Sequence, residues 1–279
     1  MHRMERVTSR HNALVKRFRD LAGASRPRDA GASGEILLDG EHLVQEALAC
    51  GVPIEVAAFS DRRLGHDQSP LVQLAAEVGT RGGRSIIVTD QVLAAMSPVQ
   101  RPSGVVAIAS SAPASMASVL AGAAAARGAP ALMLAGLQDP GNVGAIIRAA
   151  AALGAAGVVA VEGTANPFAW KALRGAMGAT FRVPVAHGAT LGEAIDAATA
   201  HGVVVIGAVP RGGTALPHMD LRRPTAILLG AEGPGVPAAA VAGAHETVSI
   251  PMLASIESLN VAVAAALILY EAARQRGAS

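Results

Sequence analysis

The chain has 279 residues, of which 51% are hydrophobic and only 2% aromatic, so its core has to be built from Ala, Val, Leu and Ile. This length is typical of two domains or one large one. Scarce aromatic residues argue against base stacking on RNA, and the single cysteine, Cys50, excludes an intrachain disulfide and a thiolate zinc cluster. The N-terminus is too charged for a signal peptide, and no apolar run reaches the roughly 18–20 residues that span a bilayer, so we expect a cytoplasmic protein.

Positive charge is concentrated at the N-terminus, although the formal net charge is only +2. Residues 1–34 hold eight arginines and lysines against three acidic residues. All basic residues except Lys16 and Lys171 are arginines, which bind phosphate bidentately and suit an RNA partner. A coding bias of a high-GC genome and a solvated helix face are the alternative explanations.

The first part of the chain alternates between predicted helices and strands, which indicates a small α/β domain over residues 1–112. Hydrophobic spacing predicts an amphipathic helix over 7–22. The elements that follow are a strand at 35–40, a helix at 41–51, a strand at 54–60, a helix at 70–79, a strand at 85–90, a short helix at 91–97 and a strand at 104–110. Small residues then predict a linker over 113–128, and a helix over 116–127 is the alternative.

Residues 129–279 are predicted to form a second α/β domain. Its predicted strands (131–137, 157–162, 181–185, 203–209, 226–230 and 247–251) are continuously apolar, and predicted helices lie between most of them. Such strands are typical of a parallel sheet that is covered on both faces. Ligands bind such sheets beyond the carboxyl ends of the strands, so the loops there are candidate sites.

The first candidate loop is 138–142 (QDPGN). Pro140 and Gly141 predict a turn, and Asn142 is a favourable cap for the next helix. Arg148 follows six residues later, and the residues three and four positions away from it are all Gly or Ala. The arginine should therefore project from a strip of small side chains that could admit a substrate or the helix of another subunit. A solvent-exposed arginine among alanines is the alternative.

The second candidate loop is 228–237 (LLGAEGPGVP), with three glycines that would let backbone approach a ligand. Their order differs from the dinucleotide-binding pattern, and two prolines disrupt the helix start which that pattern needs. Glu232 is a candidate ligand group, with a solvated acid or an ordinary tight turn as the alternative.

The third candidate loop is 249–260 (SIPMLASIESLN), which joins the last strand to the last helix, predicted over 258–276. Ser255 or Ser258 is expected to cap this helix, and Asn260 should then lie in its first turn. Routine capping without any catalytic role is the alternative here.

Together the three loops resemble the three motifs of the SpoU (TrmH-like) RNA 2′-O-methyltransferases of the SPOUT superfamily. The stretches DPGNVGAIIRAAAALG, LLGAEGPGV and SIPMLASIESLNVAVAAALILYE have the family's order and separation, over roughly residues 129–276. More weakly, LLDGEHLVQEALACG and SGVVAIA resemble the family's N-terminal RNA-binding domain, which has a ribosomal-protein-like fold.

This resemblance implies a deep trefoil knot whose loops bind S-adenosylmethionine, a homodimer, and no metal requirement. By position, Gly230, Ile250 and Leu259 match cofactor-binding residues, and Met252 lies beside them. The matched polar positions, which we take as the catalytic candidates, are Asn142, Arg148, Glu232, Ser258 and Asn260. Arg148 matches an arginine proposed to activate the ribose hydroxyl. Because a guanidinium stays protonated, we favour electrostatic stabilisation of the developing alkoxide over base catalysis.

The resemblance favours ribosomal RNA, most simply 23S rRNA, as the substrate because the extra N-terminal helix is more similar to ribosomal-RNA members. Transfer RNA is the nearest alternative substrate. A non-catalytic RNA-binding protein with the same fold and a nucleotide-dependent oxidoreductase are alternatives from other classes. Calorimetry with S-adenosylmethionine would separate them.

Overall fold

The computed structural model describes residues 4–23, 34–65, 69–125, 129–231, 235–236 and 243–277. The chain divides into two compact units. Unit 1 comprises Met1–Ala112 together with Phe168–Phe181, and unit 2 comprises Pro113–Pro167 together with Arg182–Ser279. The chain therefore passes between the two units three times.

Unit 1 is a five-stranded sheet with helices packed on it. In chain order its elements are β1 (Glu5–Val7), α1 (Ala13–Gly23), β2 (Glu35–Asp39), α2 (Glu41–Ala49), β3 (Ile54–Ser60), α3 (Asp61–Leu64), α4 (Pro70–Thr80), β4 (Arg84–Val88), α5 (Asp90–Met96) and β5 (Val105–Ser110). The strand order is β1-β4-β3-β5-β2, in which β1, β4 and β3 pair in parallel, and β5 pairs antiparallel with both β3 and β2. The predicted α/β class is thus confirmed.

The start of the chain differs from the predicted helix over 7–22. Residues 5–7 instead form β1, which adds a parallel strand beside β4 and buries Val7. Helix α1 begins only at Ala13, because the Asn12 carboxamide accepts a hydrogen bond from the Leu14 N–H (2.8 Å) and satisfies a donor that the first turn leaves open. The short strand has too few residues to show a period-two pattern.

Helix α8 (Trp170–Ala176) belongs to unit 1, although sequence analysis placed it in the 129–279 domain. It packs against β2, the edge strand of the sheet, and Trp170 packs against the apolar cluster around Phe18. After the helix, Gly178 (φ 87°) lies so close to the side chain of Glu46 that a Cβ would overlap it. A helix on an edge strand shields the unpaired backbone groups there, which gives a physical reason for this correction.

Unit 2 contains a seven-stranded sheet in which every pairing is parallel. Its elements are α6 (Met116–Ala125), β6 (Ala131–Ala135), α7 (Pro140–Ala152), β7 (Gly157–Ala160), β8 (Val185–His187), α9 (Leu191–Ala200), β9 (Val204–Ala208), β10 (Thr214–Ala215), β11 (Thr225–Gly230), β12 (Glu246–Ser249) and α10 (Val261–Gln275). The strand order is β10-β12-β9-β11-β6-β7-β8. The predicted parallel sheet is confirmed.

The segment predicted as a linker, 113–128, contains α6, a packed helix of unit 2. Val119, Leu120 and Ala123 are fully buried on it, and Gly157 lacks a side chain where Val119 presses against β7. Its alanine-rich composition hid the helix because small residues give little hydrophobic periodicity. No helix in the described part of the chain is long and apolar enough to cross a membrane.

Candidate active site

The carboxyl ends of β6, β9, β11 and β12 lie at one edge of the unit 2 sheet, because these strands are parallel. The three loops singled out in the sequence begin at this edge, after β6, β11 and β12. Segments that are more than a hundred residues apart in the chain are thereby brought together, as the topology of parallel sheets requires.

A cavity of about 340 Å³ opens at this edge. Six of the predicted site residues line it: Gly230, Ile250, Met252, Ser258, Leu259 and Asn260. The remaining wall is mainly apolar and includes Val209 and Pro210, which follow β9, and Ala264 and Ile268 on α10. This volume falls within the range of small-molecule pockets, and apolar walls with a few polar groups are typical of them.

Gly230 is the last residue of β11 and lies within the second loop, and no other residue type fits there. A Cβ at this position would collide with the backbone of Gly235 and Val236, which turns back across β11 through a hydrogen bond from Gly235 N–H to the Ala231 carbonyl (2.8 Å). The glycines therefore permit a close backbone approach at the cavity wall. Glu232 lies outside the described residues.

Asn142 and Asn260 connect the first and third loops. The Asn260 Nδ2 donates to Asn142 Oδ1 (3.1 Å), while Asn260 Oδ1 accepts from the backbone N–H groups of Ala262 (2.9 Å) and Val263 (3.3 Å). Asn260 is thus the cap of α10, and the prediction that Ser255 or Ser258 caps this helix is wrong. The preference for asparagine at caps explains the outcome, because its carboxamide can cap with its oxygen and donate with its nitrogen.

Helix α7 is capped by Asp139, whose carboxylate accepts from the Gly141 N–H (3.0 Å), and Pro140 occupies the first helical position. The prediction that Asn142 caps this helix is therefore wrong. Asp139 and Pro140 match the strongest start signals for a helix, a short acidic side chain followed by proline. Freed from capping, the Asn142 side chain is available to bond Asn260.

Arg148 lies on the exposed side of α7 and does not line the cavity. Within the described ranges, no carboxylate forms an ion pair with it. Its small neighbours are as expected: Gly144 is buried, Ala145 is half-buried and Ala152 is exposed. Arg148 is therefore a cation that the described residues leave available to a partner molecule.

His187 ends β8 at the same edge of the sheet. Burial lowers the pKa of its imidazole below the usual value, because the interior disfavours the charged form. The ring is thus neutral at pH 7 and adds no positive charge to this edge. The described residues contain no cluster of three potential metal-ligating side chains.

Comparison with known proteins identifies two matching family models. The model of the SpoU rRNA Methylase family matches residues 129–270, and that of the MRM3-like substrate binding domain matches residues 12–107. A tRNA/rRNA methyltransferase of Synechocystis is 32% identical over 98% of this chain and 95% of its own. The chain belongs to the SpoU methylase family.

Two further relatives of this SpoU methylase have more informative names. The 23S rRNA (guanosine(2553)-2′-O)-methyltransferase RlmP of Bacillus subtilis is 29% identical over 96% of this chain and 98% of its own. The crystal structure of an AdoMet-bound rRNA methyltransferase from Sinorhizobium meliloti superposes with a TM-score of 0.83 at 29% identity, covering 97% of this chain and 98% of that one. This protein is accordingly an RNA methyltransferase that uses S-adenosylmethionine.

Sequence reasoning missed a set of hydrogen bonds that supports the first loop of this SpoU methylase. The buried Thr164 hydroxyl donates to the Leu134 carbonyl (2.8 Å) and accepts from the Gly136 N–H (3.0 Å), while Gln138 donates to the Gly163 carbonyl (2.6 Å). These bonds fix the chain between β6 and α7. Thr164 carries no sequence signal, since threonine is common in loops and its two partners are backbone groups 28 and 30 residues away.

Proposed function

We propose that this enzyme transfers the methyl group of S-adenosylmethionine to a ribose 2′-hydroxyl of 23S ribosomal RNA, in the cytoplasm, as a homodimer. The observation that carries the proposal is the convergence of the second and third motif loops on one cavity, with Gly230, Ile250, Met252 and Leu259 in its wall. The first loop joins this site through the hydrogen bond from Asn260 to Asn142. RlmP and the Sinorhizobium enzyme, which align over nearly the whole chain, support the substrate class and the cofactor.

The cavity suits the cofactor in size and chemistry. Its apolar wall offers Ile250, Leu259 and Ile268 to a purine ring, and the side-chain-free surface at Gly230 exposes backbone groups for hydrogen bonding. When bound, S-adenosylmethionine supplies an electrophilic methyl group on a sulfonium. The residues of the chain then have to hold the ribose in line with that methyl group and exclude water.

Arg148 is assigned to the ribose side of the reaction. The 2′-oxygen would form its bond to the methyl carbon as the bond from that carbon to sulfur breaks, with S-adenosylhomocysteine as the leaving group and the hydroxyl proton passing to bulk solvent. Negative charge would develop on this oxygen as the proton departs ahead of the completed bond. A guanidinium that keeps its proton can stabilise this charge and hold a neighbouring phosphate. We assign Asn142, Asn260 and Ser258 to positioning the substrate, with Glu232 as a further polar group from the second loop.

A homodimer would explain why Arg148 lies outside the cavity of its own chain. Helix α10 packs on α7 and carries a row of exposed apolar side chains, namely Val263 (48% exposed), Leu267 (40%) and Tyr270 (61%). Their spacing of four and three residues places them on one side of the helix. Exposed apolar rows of this kind mark protein interfaces, and we propose that a second copy covers this one and brings Arg148 to a shared site.

Sedimentation of a variant tests the dimer. We expect Leu267→Arg to sediment as a monomer and to lose methyl transfer, because an arginine at a buried interface would be left unpaired. Val72→Arg is a matched control, because Val72 is similarly exposed (42%) on unit 1. A Leu267→Arg protein that remains dimeric would refute this interface.

The knot and the RNA-binding role of unit 1 are further parts of the proposal. The order β12-β9-β11-β6 in the unit 2 sheet and the return of α10 onto α7 support the trefoil knot of the family. The match of residues 12–107 to a substrate-binding domain supports RNA recognition by unit 1.

The experiment that tests the function is methyl transfer from labelled S-adenosylmethionine to purified RNAs. We expect label in 23S rRNA at one nucleotide whose 3′ phosphodiester resists alkaline cleavage, because a methylated 2′-oxygen cannot attack the phosphate. Label in transfer RNA instead of 23S rRNA would show that the substrate is transfer RNA. If the labelled nucleotide is cleaved by alkali, the methyl group is not on the ribose 2′-oxygen. RNA binding without any affinity for S-adenosylmethionine would favour the non-catalytic alternative.

A further inference from the structure

The part of the third loop between β12 and the cap of α10, residues 250–259, forms one wall of the cavity but has little support of its own. Leu253 is 78% exposed and Ile256 is 46% exposed. Among the described residues, the only backbone hydrogen bond within this loop is that from Ile256 N–H to the Leu253 carbonyl (3.0 Å). A loop with exposed side chains and so few bonds loses much conformational freedom when it closes around a ligand.

One side chain from another part of unit 2 holds this loop. Arg211 follows Val209 and Pro210, which line the same cavity, and its Nη2 donates to the carbonyls of Ala254 (2.9 Å) and Ile256 (3.0 Å). In the part of the chain that the structure describes, Arg211 is the only side chain outside the loop that bonds to residues 250–259. The two N–H groups of one guanidinium nitrogen point in fixed directions, so the two carbonyls are held at a defined separation.

We propose that Arg211 is a positioning residue that holds the third loop in its cofactor-binding form. This inference rests on the proposed function, because it takes the cavity as the site of S-adenosylmethionine. Arg211 does not line the cavity, so it acts through Ile250, Met252, Ser258 and Leu259, which the loop presents to the cofactor. Its two charge-assisted hydrogen bonds form before the cofactor arrives, which lowers the entropy lost on binding.

Calorimetry with S-adenosylhomocysteine, which has the same adenosine and amino acid parts, measures the effect directly. We expect Arg211→Ala to raise the Kd about tenfold, since hydrogen bonds to charged groups are lost. Arg211→Lys should lie between Arg211→Ala and wild type, because an ammonium keeps the charge but not the planar geometry. Arg222→Ala is the matched control, since Arg222 is an exposed arginine that bonds Asp220 instead, and it should bind as wild type.

Hydrogen exchange separates positioning from general destabilisation. Without cofactor, the amides of residues 252–258 should exchange faster in Arg211→Ala, while the β-strands and the Tm stay as in wild type. In steady-state kinetics the KM for S-adenosylmethionine should rise while kcat stays within about twofold, which is the signature of lost ground-state and transition-state binding alike. A Tm that falls together with the affinity would overturn the positioning role.

A variant of the cavity itself distinguishes this inference from the proposed site. Leu259→Asp places a carboxylate in the apolar wall and should abolish binding of S-adenosylhomocysteine. If wild type binds, Leu259→Asp does not, and Arg211→Ala binds as tightly as wild type, the role of Arg211 is refuted and the site stands. If Leu259→Asp binds as wild type does, the proposed site itself is refuted.

Discussion

Arg17 of unit 1 and Arg148 of unit 2 are used in opposite ways, although unit 2 also contains paired arginines such as Arg222 and Arg274. In unit 1, Arg17 of α1 bonds both Glu35 and Glu55, and Arg62 pairs with Asp90 (2.9 Å). In unit 2, Arg148 faces solvent with no ion pair among the described residues. An arginine becomes available to a substrate only where the fold leaves it without a carboxylate, so the number of arginines in a segment is a poor guide to what it binds.

Ion pairs also reduce the number of basic residues near the N-terminus that are available to bind a partner. Arg6 pairs with Asp61 (2.5 Å) and Arg17 with two glutamates, so their charges contribute to the structure of unit 1. The two carboxylates raise the pKa of Arg17 further above its usual value through hydrogen bonds and charge. Lys16 and Arg19 are exposed on the same helix and Arg10 is exposed before it, and these three residues remain candidates for contact with RNA phosphates.

The largest effect should come from removing the available arginine. We expect Arg148→Ala to lower kcat by about a hundredfold to a thousandfold, as for the loss of a donor that stabilises a developing oxyanion. The Kd for S-adenosylmethionine should stay as in wild type, because Arg148 does not line the cavity. Single-turnover methyl transfer and calorimetry measure the two quantities separately.

Two further variants sharpen this test. Arg148→Lys should recover part of the activity, since a cation is retained without its planar fork. Arg222→Ala removes an arginine of unit 2 that is already paired, and it should turn over normally. Wild-type turnover by Arg148→Ala would remove the contrast between Arg148 and the paired arginines.

The next largest effect concerns the two asparagines. Asn260→Ala should lower the free energy of unfolding by about 1 kcal/mol, because α10 loses its cap. Asn260→Asp keeps an oxygen for the cap, but it cannot donate to Asn142 when ionised. We expect Asn260→Asp to be as stable as wild type in urea and yet to transfer methyl groups at least about tenfold more slowly, since a misplaced group in an active site is costly. Normal turnover by this variant would mean that the bond to Asn142 has no part in the reaction.

The sequence predicted those features of the fold and the site that depend on residue patterns within short segments. Apolar strands and their loops predicted the sheet edge, and Gly230, Ile250 and Leu259 do line one cavity. The helix caps were predicted less well. Several polar residues near each helix start are able to cap it, and which one does so depends on where the backbone becomes helical. Asp139 and Asn260 are capping residues where Asn142, Ser255 and Ser258 were expected.

Long-range partners could not be predicted from the sequence. The inclusion of α8 in unit 1 depends on Trp170 and Gly178 meeting residues more than a hundred positions earlier. Likewise, Thr164 and Arg211 act on backbone carbonyls, which every residue possesses, so no residue type marks their targets. The exposure of Arg148 could be stated only as one of two alternatives, because a surface arginine and a catalytic one have the same local sequence.

A smaller effect should follow from removing the structural arginine of unit 1. Arg17→Met keeps much of the aliphatic stem but leaves Glu35 and Glu55 without their shared cation. We expect the free energy of unfolding to fall by about 1–2 kcal/mol, more than for an ordinary surface pair because three charges form one network. Trp170, the only tryptophan, packs on the core of unit 1 and reports this unfolding by fluorescence.

The matched control for Arg17 is a pair in the same unit that is more exposed. Arg84→Met breaks a single contact with Glu5 (2.8 Å), in which both side chains are more than half exposed, and it should change stability little. Equal losses in the free energy of unfolding for Arg17→Met and Arg84→Met would show that the network of Arg17 stabilises the fold no more than a single exposed ion pair does.

The smallest effect tests a paired arginine in unit 2. On α10, Glu271 accepts hydrogen bonds from Arg274 (2.7 and 2.8 Å) and Gln275 (2.8 Å), which lower its pKa to about 2. Since the folded state holds this carboxylate ionised, the stabilisation is complete above the ordinary glutamate pKa and is lost as the pH falls towards 2.

Glu271→Gln should therefore be less stable than wild type at pH 7 by at most about 1 kcal/mol, because Arg274 is 60% exposed and water screens the pair. The difference should shrink as the pH is lowered from 5 to about 3, as measured by urea unfolding followed by circular dichroism. A difference that stays constant over this range would mean that the neutral hydrogen bond to Gln275, which also anchors Met219 and Leu221, carries the effect. The ion pair between Glu271 and Arg274 would then be without consequence for stability, in contrast to the network around Arg17.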